Sequence, residues 1–501
     1  MKKFVIAIIV LLMITLPYIF AATIRDGGAI FDGFLLNPKD GNSYLAKMYQ
    51  GFRGEWLFTL PFSIETGKGH PLFTFYLFLG HLARWLRLDL ILVFHLARIG
   101  ASAFLLWSLD KLAQQLFPES LRQADLFYLL VVLGSGMGWS LAVFGVLTSD
   151  FWVAEAYPFL AMYINPHFPL GLGLLVWLFI LSTKKPVWNI CLKIASLAIL
   201  LSIILPFGIV IVGLVLIIKW LWDVLSIGSA KIPLVVISMI PGGIWVFVQY
   251  LLTIRDPFLK IWNAPHITPA PVIWDWIISF SPALILMFFA LNRSKLNKPP
   301  ELWKEMLIWI ATATIIQAIP LNLQRRFLLG FYIPLVAFAV QAIFLFSAKV
   351  RKLIKPALIL LSIPTNILIL TMAVYAAQTH SEELYLAPGE QQAYEWIQNH
   401  TETDAVILSN SLIGGRIPGR TGRRVVYGHE FETINSTKTF EEVTLFFDNP
   451  TSQQSLNLIQ QKDVDYVLVG PDEESILNQA SELGRIIFSS EKFIIIEIDS
   501  P

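Results

Sequence analysis

"PLFTFYLFLGHLARWLRL", residues 71–88, is apolar at its start and carries His81, Arg84 and Arg87 towards its end. Whether it crosses a bilayer sets the sidedness of everything after it. The chain around it is built for lipid: 55% of its 501 residues are hydrophobic and only 15% are charged, a balance outside that of ordinary soluble domains. Apolar runs of about 20 residues, the length that spans a bilayer, fall near 4–22, 90–109, 126–147, 168–183, 189–204, 206–222, 232–252, 272–291, 306–320, 327–347 and 356–377. The first, within "MKKFVIAIIVLLMITLPYIFAAT", lacks a small-x-small cleavage site and reads as an uncleaved span.

Charge decides how residues 71–88 behave. If they do not cross, one face receives Lys2, Lys3, Lys111, Arg122, Lys184, Lys185, Lys219, Lys231, Arg293, Lys295, Lys298, Lys304, Lys349, Arg351, Lys352 and Lys355. The opposite short loops then hold only Arg255, Lys260, Arg325 and Arg326. The positive-inside rule makes the first face cytoplasmic. A crossing would reverse that bias, so 71–88 is expected to be an interfacial or re-entrant helix among about eleven transmembrane helices. Loop 23–70, loop 149–168 and everything after 378 then face outward, with the N-terminus in the cytoplasm. From Glu390 the composition becomes that of a small α/β module. "QQAYEWIQNH" has a helical stripe, "DAVILSN", "RRVVYG" and "VDYVLVG" read as short buried strands, and "RIIFSSEKFIIIEI" reads as a hairpin. The expected plan is an α-helical polytopic membrane domain, 1–379, and a C-terminal extracytoplasmic α/β domain, 380–501.

Composition also excludes. The formal net charge is +1, without the basic footprint of a nucleic-acid binder. The single Cys191 removes disulfides, thiolate zinc sites and thiol redox chemistry as organising features. No internal repeat and no compact metal spacing is present.

The polar candidates lie outward. Loop 23–70 carries Arg25, Asp26, Asp32, Asp40, Glu55, Glu65, Lys68 and His70 among many aromatic residues, and loops this long are functional or disordered. Asp40 precedes an expected helix over 42–51 whose Tyr44 and Lys47 lie on the aspartate's side. It reads either as a helix N-cap or as a catalytic or metal-binding carboxylate. The loop "TSDFWVAEAYPFLAMYINPHFP" offers Asp150, Glu155 and His167 with no Lys or Arg, a setting for a raised carboxylate pKa, for a divalent cation, or simply for capping a short helix over 152–163. Arg98 lies inside a span, where arginine costs roughly 2.5–3.5 kcal/mol, so it needs an interior partner or snorkels. "PLNLQRRFLLG" places Arg325 and Arg326 at an outward membrane boundary, where guanidinium forks suit a lipid phosphate or anchor to headgroups. "GGRIPGRTGRR" reads as a flexible turn or a contact for a glycan or phosphate, and Asn399 and Asn435 match glycosylation sequons.

This arrangement resembles the GT-C superfamily of membrane glycosyltransferases, which includes protein O-mannosyltransferases, aminoarabinose transferases and oligosaccharyltransferase catalytic subunits. "KDGNSYLAKMYQGFRG" looks like the family's first-loop helix start, "FHLARIG" like its arginine-bearing span, "SDFWVAE" stands in the place of its second acidic motif, and "QRRF" looks like its donor-phosphate site. The tryptophan-tryptophan-aspartate signature of oligosaccharyltransferases is absent. The resemblance implies catalytic roles for Asp40, Asp150 and Glu155, and substrate binding by Tyr44, Arg98, His167, Arg325 and Arg326. It further implies a polyprenyl-phosphate sugar donor in the lipid bilayer, and transfer with inversion to a glycan, lipid or protein acceptor at an extracytoplasmic face. A divalent cation, Mg or Mn, is a possible cofactor, with Asp40, Asp150 and Glu155 as candidate ligands. Two other readings compete: a transporter or flippase, to which Lys193, Gln317, Gln341 and Asn366 lend polar residues, and a non-catalytic envelope scaffold.

Overall fold

Glycines set where backbones touch. In the computed structural model, helix Pro38–Arg53 meets helix Thr74–Leu86 at Gly51 and Gly80. A Cβ on Gly51 would stand 2.0 Å from the Leu77 carbonyl oxygen, and one on Gly80 would stand 1.9 Å from that of Met48. The structure describes residues 2–24, 28–228, 231–293, 300–471, 473, 476 and 479–498. Arg25, Asp26, Lys295 and Lys298 fall outside that set. The chain divides into two compact units, the first Met1–Pro17, His95–Val248 and Ile267–Ala373, the second Tyr18–Phe94, Gln249–His266 and Val374–Pro501.

The first unit is helical and gathers around Tyr332–Leu345, a helix buried at nearly every position. Leu121–Leu133 and Ala283–Arg293 both pack on it. The apolar run 126–147 stops being helical at Leu133, because the sequence Gly134–Ser135–Gly136–Met137–Gly138 follows. There the chain passes so close to the next segment that a Cβ on Gly136 would lie 1.9 Å from the Ser279 carbonyl oxygen. The run 272–291 is likewise broken into Ile273–Phe280 and Ala283–Arg293, bent by 82° at Pro282. Among the described residues, five helices are long and apolar enough to cross a membrane, and a sixth if the bent pair counts as one span. The chain is a multi-pass membrane protein.

Among the described residues, the second unit holds two sheets. Strands β1 (Ile30–Phe31) and β2 (Tyr385–Leu386) pair antiparallel, Ile30 opposite Leu386. The larger sheet contains β3 (Val406–Leu408), β4 (Arg424–Val425), β5 (Tyr466–Val469), β6 (Gly484–Ser490) and β7 (Phe493–Ile498) in the order β4-β3-β5-β7-β6. β3 runs parallel to β4 and β5, while β7 is antiparallel to β5 and β6. Alternation along the strands fills both faces. Val406, Leu408, Val467, Val469, Ile494 and Ile496 meet helices Ser436–Asp448 and Gln453–Gln461, with Val443, Phe446, Leu458 and Ile459 inward. Ile407, Leu468 and Ile495 point to the other face, against Tyr394 and Ile397 of helix Glu390–His400 and Ile413 and Ile417 of helix Ser411–Thr421.

Helix Thr74–Leu86, 13 residues long, spans about 20 Å at 1.5 Å per residue, too short to cross. Its tight seat on Pro38–Arg53 makes a sharp prediction. Replacing Gly80 by Leu is expected to cost about 3 kcal/mol or more by overpacking, read as a fall in melting temperature of the detergent-solubilised protein. An unchanged melting temperature would contradict the backbone contact.

Candidate functional site

Asp40 sits in the first turn of Pro38–Arg53, which begins four residues before the expected start because Pro38 takes the first helical position with its φ already set. The N-cap is Asn37, so Asp40 is not the cap. From Gly41 to Gly51 every residue but Tyr44 is buried, whereas the Asp40 side chain is 43% exposed. Asn37 Nδ2 donates to Asp40 Oδ2 at 2.5 Å, and His429 Nε2 lies 3.5 Å from Oδ1. Tyr44 stacks on Tyr76 with ring centroids 4.3 Å apart.

One turn further along, Lys47 is fully buried. Its ammonium pairs with Glu432 Oε1 at 2.7 Å and donates to Ser43 Oγ at 2.6 Å, and it lies over the rings of Phe73, Tyr44 and Phe58 at 4.4, 5.3 and 5.7 Å. Glu432 also accepts from the Ser43 hydroxyl at 2.9 Å and from Trp262 Nε1 at 3.1 Å. Burial works against its charge, yet the neighbouring Lys47 ammonium prevails and holds the carboxyl at about 2. A second clamp lies beside it. Buried Asp32 pairs with Arg420 Nη2 at 2.5 Å, faces Arg416 Nε at 3.6 Å, and accepts from Asn42 Nδ2 at 2.6 Å. Arg416 in turn reaches Glu390 at 3.0 Å.

In the first unit, Glu155, Arg325 and Arg326 come together. Arg326 Nη1 is 3.2 Å from Glu155 Oε1 and Arg325 Nε is 3.8 Å from it, while the Arg325 guanidinium lies 4.8 Å from the centroid of Trp152. The Gly330 N–H donates to the Glu155 carbonyl at 2.8 Å, tying the two segments by backbone as well. The guanidiniums keep 22% and 33% side-chain exposure, against 5% for Glu155, so they remain within reach of an anion.

Asp150 has a different setting. Its oxygens accept from the Thr148 hydroxyl at 2.6 Å, the Thr365 hydroxyl at 2.9 Å and the Gly138 N–H at 3.1 Å. The Ser279 hydroxyl stands 3.4 Å away and donates to Asp275 at 2.6 Å. Asp275 accepts both the N–H and the hydroxyl of Ser149, at 2.8 and 2.7 Å. The two aspartates fasten segment 148–150 to the broken helix. Arg98 donates to the carbonyls of Ile14, Tyr163 and Met162 at 2.9, 3.1 and 3.2 Å. It thereby covers orphan carbonyls at the end of helix Pro158–Ile164. His167 is buried at the start of the next helix with its ring 4.0 Å from that of Phe168.

A divalent cation does not fit these groups as they stand. Asp150 is already surrounded by donors and Glu155 by guanidiniums, and among the described residues no group of three or more His, Cys, Asp or Glu is placed to hold a metal ion. Local sequence gave no sign of Glu432, His429 or Asp275 as partners. Each is recruited across a long stretch of chain.

The chain has the GT-C fold. ArnT from Cupriavidus metallidurans, solved with undecaprenyl phosphate, superposes with a TM-score of 0.58 at 12% identity over 99% of this chain and 97% of its own. The oligosaccharyltransferase AglB from Archaeoglobus fulgidus, solved with an inhibitory peptide and a dolichol-phosphate, gives 0.55 at 11% identity over 93% of this chain and 70% of its own. The arabinofuranosyltransferase AftD from Mycobacteria gives 0.54 at 12% identity over all of this chain and 40% of its own. No protein-family model and no curated protein matches the sequence.

The Lys47–Glu432 pair yields a stability prediction. Glu432→Leu leaves the Lys47 ammonium buried without its counter-charge and is expected to cost about 3–5 kcal/mol, whereas Lys47→Met with Glu432→Leu recovers much of it. Because folding lowers the Glu432 carboxyl from 4.5 to about 2, its contribution is full above the unfolded value and is lost as pH falls through that window. Thermal unfolding between pH 6 and pH 2 should show this loss in wild type but not in the double variant; equal acid dependence would refute it.

Proposed function

We propose that the protein is a membrane glycosyltransferase that moves a hexose or pentose from a polyprenyl-phosphate donor to a hydroxyl acceptor on the extracytoplasmic face. The observation that carries this reading is Asp40, an exposed carboxylate in the first turn of a helix that is buried from Gly41 to Gly51 except at Tyr44, within a chain that matches ArnT end to end. Undecaprenyl phosphate in ArnT and dolichol-phosphate in AglB support a lipid-borne donor for a chain of this fold. Fold alone does not assign chemistry; the side chains must.

In this reading the acceptor is a hydroxyl of a glycan, lipid or protein. Asp40 takes its proton as the oxygen attacks the anomeric carbon. The bond from that carbon to phosphate oxygen breaks, the electron pair leaves with the polyprenyl phosphate, and direct displacement inverts the centre. Arg325 and Arg326 receive the phosphate charge, the kind of stabilisation worth a few kcal/mol. Glu155 orients their guanidiniums, Asp150 holds the segment that carries Glu155, and Arg98 fixes the end of the helix after it. Tyr44 and His167 contact substrate. The scheme has about eleven crossings, with residues 1–379 as membrane domain, 380–501 as extracytoplasmic domain and a cytoplasmic N-terminus in a bacterial or archaeal plasma membrane.

Undecaprenyl-phosphate-linked glucose, mannose and arabinose, offered to the protein in nanodiscs, provide the test. Asp40→Asn is expected to lower turnover by about 10²–10⁴-fold, the range of a lost general base; activity near wild type would remove Asp40 from the chemistry. Arg325→Gln with Arg326→Gln should raise the donor KM and lower turnover by about 10²–10³-fold. Unchanged donor dependence would cancel their phosphate role.

A further inference from the structure

His429 is held by its own turn. Its carbonyl accepts from the N–H groups of Glu432 and Thr433 at 3.2 and 2.9 Å, and Thr433 Oγ1 accepts from the His429 N–H at 3.3 Å. The Phe431 N–H donates to the ring at Nδ1, 3.1 Å away. A backbone N–H only donates, so Nδ1 must present its lone pair, and the neutral ring carries its proton on Nε2. That Nε2 is buried and makes no hydrogen bond among the described residues. The side chain is 4% exposed, and Asp40 Oδ1 stands 3.5 Å from Nε2.

Leaving a buried donor without an acceptor is unfavourable, so a ring locked in this tautomer calls for a purpose. Hydrogen bonds of catalytic groups are commonly long before substrate binds and tighten in the complex. We propose that His429 is the positioning residue of Asp40: its Nε2–H closes on Oδ1 when acceptor binds, fixing the carboxylate between itself and Asn37. The ring does not act as the base, because its Nε2 already bears the proton. Asn37 holds the carboxylate from within the same turn, whereas His429 holds it from a segment almost 400 residues later. Glu432, three residues beyond His429, is anchored on Lys47, so the buried ion pair carries the histidine to the aspartate. This assignment rests on Asp40 as the acceptor's base.

The test uses the full-length protein in nanodiscs with the three undecaprenyl-phosphate monosaccharides. His429→Ala is expected to lower kcat by about 10–100-fold, the scale of losing a hydrogen bond that orients a reacting group, with the donor KM unchanged within about twofold. His429→Gln, which keeps an N–H donor, should recover part of kcat. In an Asp40→Asn background, adding His429→Ala should bring no further loss, because the two act as one unit. Thermal unfolding of His429→Gln near that of wild type separates positioning from folding. Full kcat in His429→Ala, or an equal loss in both backgrounds, overturns the proposal while leaving Asp40 as base. An active Asp40→Asn, or a wild type inert on all three donors, overturns both.

Discussion

The buried ion pair of Lys47 with Glu432 organises the packing around the helix that bears Asp40. Lys47 belongs to the helix that starts at Pro38, and Glu432 to a turn in the last third of the chain, with Trp262 from a third segment donating to the same carboxylate. Removing two charges from water is costly unless geometry and further hydrogen bonds compensate. Here three aromatic rings, a hydroxyl and an indole complete the surroundings. The arrangement favours specificity over raw stability, since only one register of the helix against the turn presents ammonium to carboxylate. The Asp32 clamp with Arg416 and Arg420 repeats this logic on helix Ser411–Thr421, so the helix bearing Asp40 is referenced twice to the C-terminal segment.

The two units use carboxylates in contrasting ways. Asp150 and Asp275 lie among hydroxyls and amides that satisfy them as structural fasteners, and Glu155 spends its charge on two guanidiniums. Asp40 alone among the acidic residues expected to be catalytic combines exposure with a hydrogen bond from Asn37 and a histidine ring nitrogen 3.5 Å away. Proximity of acidic residues in sequence therefore misleads: Asp150 and Glu155 are close in the chain yet answer to different networks.

What was legible in the sequence followed from periodicity. The alternation in "VDYVLVG" and "RIIFSSEKFIIIEI" marks strands because one face of each must be buried, and β5 and the β6–β7 hairpin appear where it does. "GGRIPGRTGRR" does not read as a helix, since glycine and proline disfavour one. Its first eight residues, 414–421, nevertheless lie in helix Ser411–Thr421, because Asn410 caps its start and Arg416 and Arg420, one turn apart, share Asp32. Tertiary charge overrides local propensity there. The partnership of Arg325 and Arg326 with Glu155 joins positions about 170 residues apart, and no local pattern encodes it. The apolar runs over 126–147 and 272–291 are not continuous helices, and the interrupting residues are legible, the glycine run after Leu133 and Pro282, though only the close approach to Ser279 makes their meaning clear.

Those two interrupted runs also bear on the lipid. Leu121–Leu133 and Ala283–Arg293, with 13 and 11 residues, reach about 20 and 16 Å at 1.5 Å per residue, well short of a hydrocarbon thickness of about 30 Å. Neither helix alone bridges that distance, so the non-helical backbone beside them must find protein partners wherever it lies at membrane depth. After Leu133 it does: the Ser135 N–H donates to the Ser362 carbonyl at 2.6 Å and the Met137 N–H to the Ile278 carbonyl at 3.1 Å.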